Sequence, residues 1–388
     1  MRTIYILLSS FLFLFQNFSF PQQDAVNEKL DAFIKNVREE LKLKTGLSIS
    51  VVKEGKVFFS KAYGYADIEK EITADTYTPF YIASSTKSFL GTLAKILSDE
   101  GVINPDSPIS VYLPELELQP PLNPDIITIR DLLTHRSGIE SFAIILRTAF
   151  TGQQTDEKIM ELFGSAEFTK REFRYTNTDY VLVSLIIKKV TGKDWKELMK
   201  EKIFSPLRMD NTSAIVSSYR PGSLPVGYKS LDGEAVPYSF SKTDETMHAA
   251  GGIYTSTDDL SNWLIFNLGD GTYNGKRILS EYSLDEIHSA QINYSQTFFT
   301  YNRFAYGLGW IRSDYNGRLL IHHFGSYSGA RSHISFMPEE QTGVAVLIND
   351  DGDAFYTVDL IADYVYNLLD ENVNADSIAA EELKIIQE

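Results

Sequence analysis

The sequence contains no cysteine among its 388 residues. This absence excludes disulfide bonds, thiolate metal ligands and a cysteine nucleophile. Histidine is also scarce, and the adjacent pair in HHF at 322–324 has no carboxylate or third histidine at a spacing that would suit a metal. We therefore predict that the protein uses neither a metal nor another cofactor.

Positive charge is in short supply. The chain has 36 lysines and arginines against 52 aspartates and glutamates, which gives a formal net charge of −16. Because no net positive field would draw phosphates toward it, we expect neither nucleic acid nor an anionic membrane surface as a partner.

One hydrophobic run stands out near the start of the chain, from Ile4 to Phe15, and Arg2 precedes it. This layout is typical of a secretory signal peptide, which we place at residues 1–23, and the run is short for a membrane span. We therefore expect an exported protein, periplasmic or secreted. An uncleaved signal anchor is the alternative, because no residue near the run defines a clear cleavage site.

Hydrophobic periodicity divides the rest of the chain. Apolar residues recur at helical spacing from Val26 to Leu41, and two segments rich in β-branched and aromatic residues, LSISVVK and KVFFSKAYG, then indicate a β-hairpin. Strand-like segments return late, beginning with RLLIHHF, and a last amphipathic helix starts near Val358. The middle of the chain shows helices and long loops rich in proline and glycine.

Because the two ends of the chain resemble each other, we predict an α/β (α+β) fold in which both ends share one sheet. The sheet is expected to be antiparallel and flanked by helices, with an all-helical insertion. The predicted boundaries are a sheet lobe at about 24–83 and 300–370, a helical lobe at about 84–299, and a loose acidic tail at 371–388.

Ser84 and Lys87 lie three residues apart in FYIASSTKSFLG, where apolar residues flank them on both sides. The spacing puts both side chains on one face of a helix that begins near Ser84. A buried amine loses part of its charge and can take the proton of a serine hydroxyl, while a helix N-terminus favours an oxyanion. The pair predicts a nucleophile and its base; a capping serine beside a lysine that reaches water is the alternative.

The S-x-x-K pattern occurs three times in the chain, so the pattern alone decides nothing. Ser50 and Lys53 fall in a predicted strand, where an odd spacing puts the two side chains on opposite faces. Ser239 and Lys242 fall in a long loop. The copy at Ser84 is the one that opens an apolar helix.

Two further stretches favour a catalytic role for Ser84 and Lys87. FRYTNTDY contains Tyr175-x-Asn177; tyrosine can shuttle a proton when a nearby cation lowers its pKa, and asparagine can orient a lysine and bind an amide. IHHFGSYSGARSHISF contains His323-x-Gly325-Ser326 at the end of a predicted strand, where an N–H could stabilise an oxyanion and glycine would let a substrate approach closely. Ordinary turns would explain both stretches without chemistry.

In that order, the three elements resemble the active-site motifs of the serine β-lactamase and penicillin-binding protein family. The branch with class C β-lactamases, D-alanyl-D-alanine carboxypeptidases and β-lactamase-fold esterases is the most similar. DLLTHRSGI, AAGGIYTSTDDLSNW and YGLGW support the resemblance, which runs from about residue 26 to 370. It implies a β-lactamase/transpeptidase-like fold, with the antiparallel sheet and helical insertion already predicted.

The resemblance implies an exported serine hydrolase that cleaves an amide or ester bond through an acyl-serine intermediate. The implied partner is a small molecule or a cell-wall peptide, with a D-Ala-D-Ala-type peptide or an ester as substrate. A β-lactam hydrolase and a catalytically silent protein that binds cell-wall peptide are the alternatives.

Residue roles carry over from the same resemblance. Ser84 would be the acylated nucleophile, Lys87 its proton acceptor, and Tyr175 the proton shuttle. Asn177 would hold Lys87 and the substrate amide, and the N–H groups of Ser84 and Ser326 would form the oxyanion hole. The substrate-binding residues implied are Asn177, His323, Gly325 and Ser326.

His323 stands where class C β-lactamases have a lysine. A histidine that is mostly neutral at pH 7 lacks the permanent charge that anchors a substrate carboxylate, so we expect inefficient β-lactamase activity. Arg331 in the following strand is a candidate for the missing charge.

The other histidines are expected to be structural, because the nucleophile already has its base; His135 and His248 are the cases in point. An α/β-hydrolase would need G-x-S-x-G between a strand and a helix. The stretch from Gly325 to Gly329 is one residue out of register and is followed by another predicted strand, which disfavours that chemistry.

Overall fold

The computed structural model describes residues 20–152, 154–370 and 374–387. The predicted signal peptide lies outside these ranges apart from its last four positions, where the first helix begins. None of the helices in the described ranges combines the length and the apolar character that a membrane span requires.

One antiparallel sheet of eight strands forms the centre of the molecule. Its strands, in chain order, are β1 (Leu47–Lys53), β2 (Lys56–Tyr63), β3 (Ile292–Phe298), β4 (Tyr301–Tyr306), β5 (Ile311–Tyr315), β6 (Arg318–Tyr327), β7 (Ala330–Met337) and β8 (Thr342–Ile348). In space the order is β3-β4-β5-β6-β7-β8-β1-β2. The early hairpin therefore joins strands from the far end of the chain, as predicted.

The pairing of β1 with β8 closes the fold. It runs along the whole of both strands, with Leu47 opposite Ile348 and Lys53 opposite Thr342. All seven residues of β8 are buried, because helices cover both faces of the sheet. A strand buried on both faces has no polar alternation, which explains the continuous apolar run GVAVLI in the sequence.

The helices pack on both faces of the sheet and fill the insertion. Those in the described ranges are α1 (Phe20–Glu40), α2 (Thr86–Asp99), α3 (Ile129–Leu133), α4 (Phe142–Leu146), α5 (Asp156–Phe163), α6 (Thr178–Thr191), α7 (Trp195–Met199), α8 (Thr257–Leu268), α9 (Glu281–His288), α10 (Thr357–Leu369) and α11 (Ala375–Gln387). Helix α10 contacts β7 and β8, with α1 and α11 packed against it, while α8 contacts β1 and β8. Helix α2 is buried between the sheet and the rest of the insertion.

The insertion is not entirely helical. The sheet begins with β3 at Ile292, before the predicted boundary at residue 300, and short strand pairs decorate the region between. These pairs are Phe80–Tyr81 with Tyr254–Thr255, Ile139–Glu140 with Glu167–Phe168, Tyr228–Leu231 with Glu234–Pro237, and Thr272–Tyr273 with Lys276–Arg277; another pair, Tyr65–Asp67 with Ile72–Thr73, follows β2.

The prediction of a loose acidic tail is wrong for the residues that form α11. Ala375, Ala379 and Leu383 are buried in the cluster that includes α1 and α10. Their spacing of four residues places them on one side of the helix. The acidic composition concealed this short apolar stripe.

Candidate active site

Ser84 lies in a short 3-10 turn, Ala83–Ser85, and α2 begins directly after it at Thr86. The sequence predicted an α-helix from Ser84 itself, so the structure adds one tighter turn in front. Ala83 has φ +45°, a left-handed conformation that is unfavourable for a residue with a Cβ atom. Such local strain persists only where the surrounding contacts impose it.

Strands β6 and β7 impose that geometry on the turn. The hydroxyl of Ser85 donates to the carbonyl of His323 at 2.9 Å, and the hydroxyl of Ser332 donates to the carbonyl of Ile82 at 2.8 Å. A Cβ atom at Gly325 would lie 1.9 Å from the carbonyl oxygen of Ile82. Glycine is therefore needed at 325 so that the strand can pack against the turn. The sequence had suggested instead that this glycine makes room for a substrate.

Lys87 is completely buried beneath Ser84. Its Nζ lies 3.3 Å from Ser84 Oγ, 2.7 Å from Asn177 Oδ1 and 2.8 Å from the carbonyl oxygen of Ala250. No ion pair to Lys87 is present among the described residues, and burial lowers its pKa well below the ordinary 10.5. The alternative of a lysine that extends into water is excluded by this placement.

The contacts of Lys87 orient its lone pair. An uncharged amine has two N–H groups and one lone pair, and the oxygens of Asn177 and Ala250 can only accept hydrogen bonds. Both N–H groups are used by these two oxygens. In the uncharged form of Lys87, the lone pair then faces Ser84 Oγ, 3.3 Å away, where it can accept the hydroxyl proton.

Tyr175 completes the group around the nucleophile. Its ring centroid lies 4.6 Å from Lys87 Nζ, and its hydroxyl is hydrogen-bonded to Ser84. Burial raises the pKa of Tyr175, and the bond to Ser84 opposes that rise. Because 41% of the residue is exposed, solvent limits the shift, and Tyr175 is a neutral phenol at pH 7. The sequence had suggested a lowered pKa from a nearby cation, but burial raises the pKa of Tyr175 and disfavours the charged form of Lys87.

Ser84 and Tyr175 open onto a cavity of about 330 Å³. His323 and Ser326, from the third predicted motif, lie on its wall together with a set of aromatic side chains. In the register of the sheet, β5 pairs with β6 only up to His322. The segment from His323 onward is therefore unpaired on the side of β5, and this segment borders the cavity.

The imidazole of His323 is held by protein groups on both sides. Its Nδ1 lies 2.9 Å from the carbonyl oxygen of Phe324 and must donate to it, so Nε2 is the acceptor for the Tyr306 hydroxyl at 3.3 Å. The Tyr306 hydroxyl also lies 3.2 Å from His135 Nε2, and His135 Nδ1 accepts from the backbone N–H of Thr176. This chain connects β6 to the segment that carries Tyr175.

Burial lowers the pKa of His323 and of His135 well below their usual range. Both rings are neutral. The geometry agrees with a structural role for His135, and His248 is likewise buried with a strongly lowered pKa. His323 positions the wall of the cavity and has no free nitrogen for a substrate.

Arg331 does not present a free charge to the cavity. Its guanidinium donates to Asp359 at 2.8 Å, to the carbonyl of Phe355 at 2.9 Å and to the carbonyl of Gly325 at 3.2 Å. The residue is 3% exposed. The suggestion that Arg331 replaces the missing lysine is corrected by these contacts, because its donors are committed to the protein.

Arg303 on β4 is a cavity residue that sequence reasoning missed. Its guanidinium stacks over Phe298 at 4.3 Å and donates to Gln296, while its buried Nε has no hydrogen-bond partner in the described part of the chain. It makes no ion pair with any described acidic residue. A lone arginine in a strand carries no sequence signal, and only the folded sheet brings it to the wall that contains Ser84.

A serine hydroxyl, a buried amine with a strongly lowered pKa and a phenol converge at one end of the sheet. This arrangement is typical of serine hydrolases that form an acyl-enzyme. The chain belongs to the Beta-lactamase family, whose model matches residues 32–366. The family and its structural neighbours indicate a serine hydrolase.

Two solved structures show the same fold. A penicillin-binding protein homologue from Pyrococcus abyssi, described as octameric, superposes with a TM-score of 0.76 at 28% identity and covers 90% of this chain and 78% of the other. The D-amino acid amidase of Ochrobactrum anthropi SV3, complexed with L-phenylalanine amide, gives a TM-score of 0.74 at 25% identity, with 89% and 99% covered.

Curated relatives are longer than the region they share with this chain. Protein flp of Staphylococcus aureus (strain COL) is 30% identical over 308 residues, which is 78% of this chain and 59% of the relative. The putative penicillin-binding protein PbpX of Bacillus subtilis (strain 168) is 29% identical over 240 residues, or 60% and 56% of the two chains. The chain thus spans about three fifths of the length of these relatives.

Proposed function

We propose that this protein is an exported serine hydrolase that cleaves a D-Ala-D-Ala-type peptide, or a related amide or ester, through an acyl-Ser84 intermediate. The observation that carries the proposal is the environment of Lys87, which is fully buried with its Nζ 3.3 Å from Ser84 Oγ. A silent binding protein would have no use for a fully buried lysine without an acidic partner. Export rests on the hydrophobic N-terminal segment of the sequence.

Acylation follows from the positions of three groups. As Ser84 Oγ forms a bond to the substrate carbonyl carbon, its proton passes to Lys87 Nζ and the carbonyl electron pair moves to the oxygen. The N–H groups of Ser84 and Ser326 are the proposed donors to that oxyanion. When the tetrahedral intermediate collapses, the scissile bond breaks and the leaving group takes a proton that Lys87 returns through Tyr175.

Deacylation uses the same groups in the reverse direction. A water molecule beside Tyr175 passes a proton to the Tyr175 oxygen as it attacks the acyl carbon, while Tyr175 passes its own proton to Lys87. When the tetrahedral intermediate collapses, the ester bond to Ser84 Oγ breaks and Lys87 returns the proton to that oxygen. Ser84 regains its proton and the carboxylic acid product leaves. Asn177 keeps Lys87 in place throughout, because its Oδ1 accepts one of the two amine N–H groups.

The leaving-group side of the cavity favours an anionic substrate. Arg303 lines the cavity that contains Ser84 and Tyr175, and it has no acidic partner among the described residues. Guanidinium groups bind carboxylates with two parallel hydrogen bonds. A peptide with a free C-terminal carboxylate satisfies this group, which supports a carboxypeptidase-type substrate over an uncharged ester.

Mass spectrometry of the intact protein after incubation with a fluorescent penicillin tests the proposed chemistry. We expect one acyl adduct, located on the peptide that contains Ser84, and no adduct in Ser84→Ala. Lys87→Met should react at least 100-fold more slowly, because general base catalysis typically contributes about 10²–10⁴. Labelling of Ser84→Ala at the wild-type level would overturn the assignment of the nucleophile.

A second assay decides the substrate. Release of D-alanine from an N-acylated D-alanyl-D-alanine should exceed turnover of nitrocefin in the wild-type protein. Equal or faster turnover of nitrocefin would favour a β-lactam hydrolase instead, and binding of the dipeptide with neither labelling nor turnover would identify a silent binding protein.

A further inference from the structure

A second cavity, of about 590 Å³, lies on the other side of the end of β6. Tyr327, the last residue of β6, lies on its wall, and the preceding residue Ser326 lies on the wall of the Ser84 cavity. Tyr81, three positions before Ser84, also lines it. Tyr81 packs with Ala83 of the nucleophile turn, so the two cavities flank the same turn.

The lining of this second cavity is unusual for so acidic a chain. Among the residues that the structure describes, those that line it include Lys242 and Arg220 but no aspartate or glutamate. The net charge of the protein is −16, and another surface cavity, next to α5, has five acidic residues on its wall. An acid-free cavity with two cations is complementary to an anion.

Lys242 is the charged group at the centre of this arrangement. It is 5% exposed and lies 3.7 Å from the ring centroid of Tyr327 and 5.2 Å from that of Tyr81. Within the described residues its single hydrogen-bond acceptor is the carbonyl of Ala149, at 2.6 Å, and it forms no ion pair. One acceptor leaves N–H groups of the ammonium available to a ligand.

We propose that this cavity binds the acyl part of the substrate and selects an aromatic or apolar acyl group that ends in a carboxylate, which Lys242 receives. The inference rests on the proposed function, because Tyr175 and Arg303 assign the Ser84 cavity to the leaving group. The acyl group must then extend past Ser326 toward Tyr327. The rings of Tyr81, Tyr254 and Phe240 contact its apolar portion, and the ammonium of Lys242 pairs with its anionic end.

Burial lowers the pKa of Lys242 to about 7. Tyr81, Tyr254 and Tyr327 beside Lys242 have raised pKa values, and the pKa of His248 is strongly lowered, so these four groups are neutral. Asp351 accepts from the Tyr238 hydroxyl at the cavity wall and forms no ion pair with Lys242. A bound carboxylate therefore provides the first negative charge in contact with Lys242. A purely structural lysine, whose role was to bind the carbonyl of Ala149, would not have to line a cavity.

The test compares two nearly isosteric substrates, N-(4-carboxyphenylacetyl)-D-alanyl-D-alanine and its 4-carbamoylphenylacetyl analogue, which replaces the carboxylate with a neutral amide. In the wild-type protein at pH 6.5 we expect kcat/KM for the carboxylate to exceed that for the carbamoyl substrate about tenfold or more, which is the contribution of one charge-assisted hydrogen bond. In Lys242→Met, which keeps length and apolar contact, the ratio should fall to about one. Lys229→Met, an exposed lysine on the neighbouring hairpin, is the matched control and should keep the wild-type ratio.

Failure of the inference and failure of the proposed function give different results. A wild-type ratio near one, or a ratio in Lys242→Met equal to that of wild type, overturns the acyl subsite while turnover itself persists. If neither substrate is turned over, calorimetric binding of the two compounds to Ser84→Ala decides: preference for the carboxylate that disappears on adding Lys242→Met supports the site, and equal binding overturns it.

Discussion

The α-carbon of Gly325 faces the carbonyl of Ile82 so closely that the nucleophile turn and β6 leave no room for a methyl group. Gly325→Ala should therefore displace the turn that holds Ser84 and reduce kcat/KM by about 100-fold, because misplacement of a nucleophile by about 1 Å costs that much. Steady-state turnover of an N-acylated D-alanyl-D-alanine measures the effect. Gly164→Ala, where φ is −60° and the new Cβ meets no atom nearer than 3.1 Å, is the control and should remain active.

The partners of Lys87 predict how the pH profile responds to one substitution. The base must be uncharged, so kcat/KM falls as the pH drops through the pKa of Lys87, which burial holds well below 10.5. Asn177→Asp replaces a neutral acceptor with a carboxylate at 2.7 Å, which stabilises the ammonium and raises that pKa by about 1–3. The acid limb of the profile should move to higher pH by the same amount. An unmoved limb would show that Lys87 is not the titrating base.

Tyr175→Phe removes the hydroxyl that contacts Ser84 and keeps the ring above Lys87. Loss of the proton shuttle should lower kcat by about 10²–10⁴ with little change in KM. Rapid-quench measurement of the acyl-enzyme separates the two half-reactions. Tyr294→Phe, on the wall of the same cavity, is the comparison and should fall less than threefold; equal losses in both variants would contradict a specific role for Tyr175.

Arg303 and Arg331 line the same cavity but should respond differently to substitution by methionine. Arg303→Met removes the proposed carboxylate ligand, so KM for an N-acylated D-alanyl-D-alanine should rise about tenfold or more while KM for its C-terminal methylamide stays unchanged. The thermal stability should change little. A variant that loses both substrates equally would exclude carboxylate recognition by Arg303.

Arg331→Met should instead destabilise the fold, because it leaves the buried carboxylate of Asp359 without its arginine. Removing one partner of a buried pair costs about 3–5 kcal/mol. We expect the lower end, since His333 still contacts Asp359 at 2.9 Å. Urea unfolding of the two arginine variants measures the difference, and an Arg331→Met protein as stable as wild type would contradict the pairing.

A buried carboxyl on helix α11 predicts that stability falls as the pH rises from about 5 to 8. Burial raises the pKa of Glu382 to about 7, against an ordinary value of 4.5. A carboxyl with a raised pKa contributes its stability in full below about pH 4.5, and that contribution is lost as the pH rises through 7. The melting temperature should therefore fall between pH 5 and pH 8. Glu382→Gln should flatten this dependence, and an unchanged slope in that variant would disprove the assignment.

The parts of the site that follow from residue type and spacing were predictable from the sequence. A lysine within an apolar helical segment indicated burial, and burial of Lys87 is what the structure shows. The early hairpin and the late strands also indicated the shared antiparallel sheet. In both cases the local spacing of apolar residues predicts the structure, and the tertiary contacts agree with that local preference.

Other parts leave no such signal. The carbonyl of Ala250 binds Lys87 through the backbone, so residue type does not reveal it. Arg303 and Lys242 reach their cavities only because distant strands and loops meet. Arg331 was predicted to present a charge to the substrate because its position in the sequence places it at the cavity. Its guanidinium instead pairs with Asp359 on α10, which the local sequence does not indicate.

The hydrogen bonds that hold the nucleophile turn have a consequence for biosynthesis. Ser85 is anchored by His323 and Ser332, which emerge from the ribosome more than two hundred residues later. Until that part of the chain is made, the turn has only its contacts to residues 247–254 and lacks the hydrogen bonds from β6 and β7 that complete its conformation. We therefore expect a nascent chain that is inert toward acylating reagents until β6 and β7 have been translated.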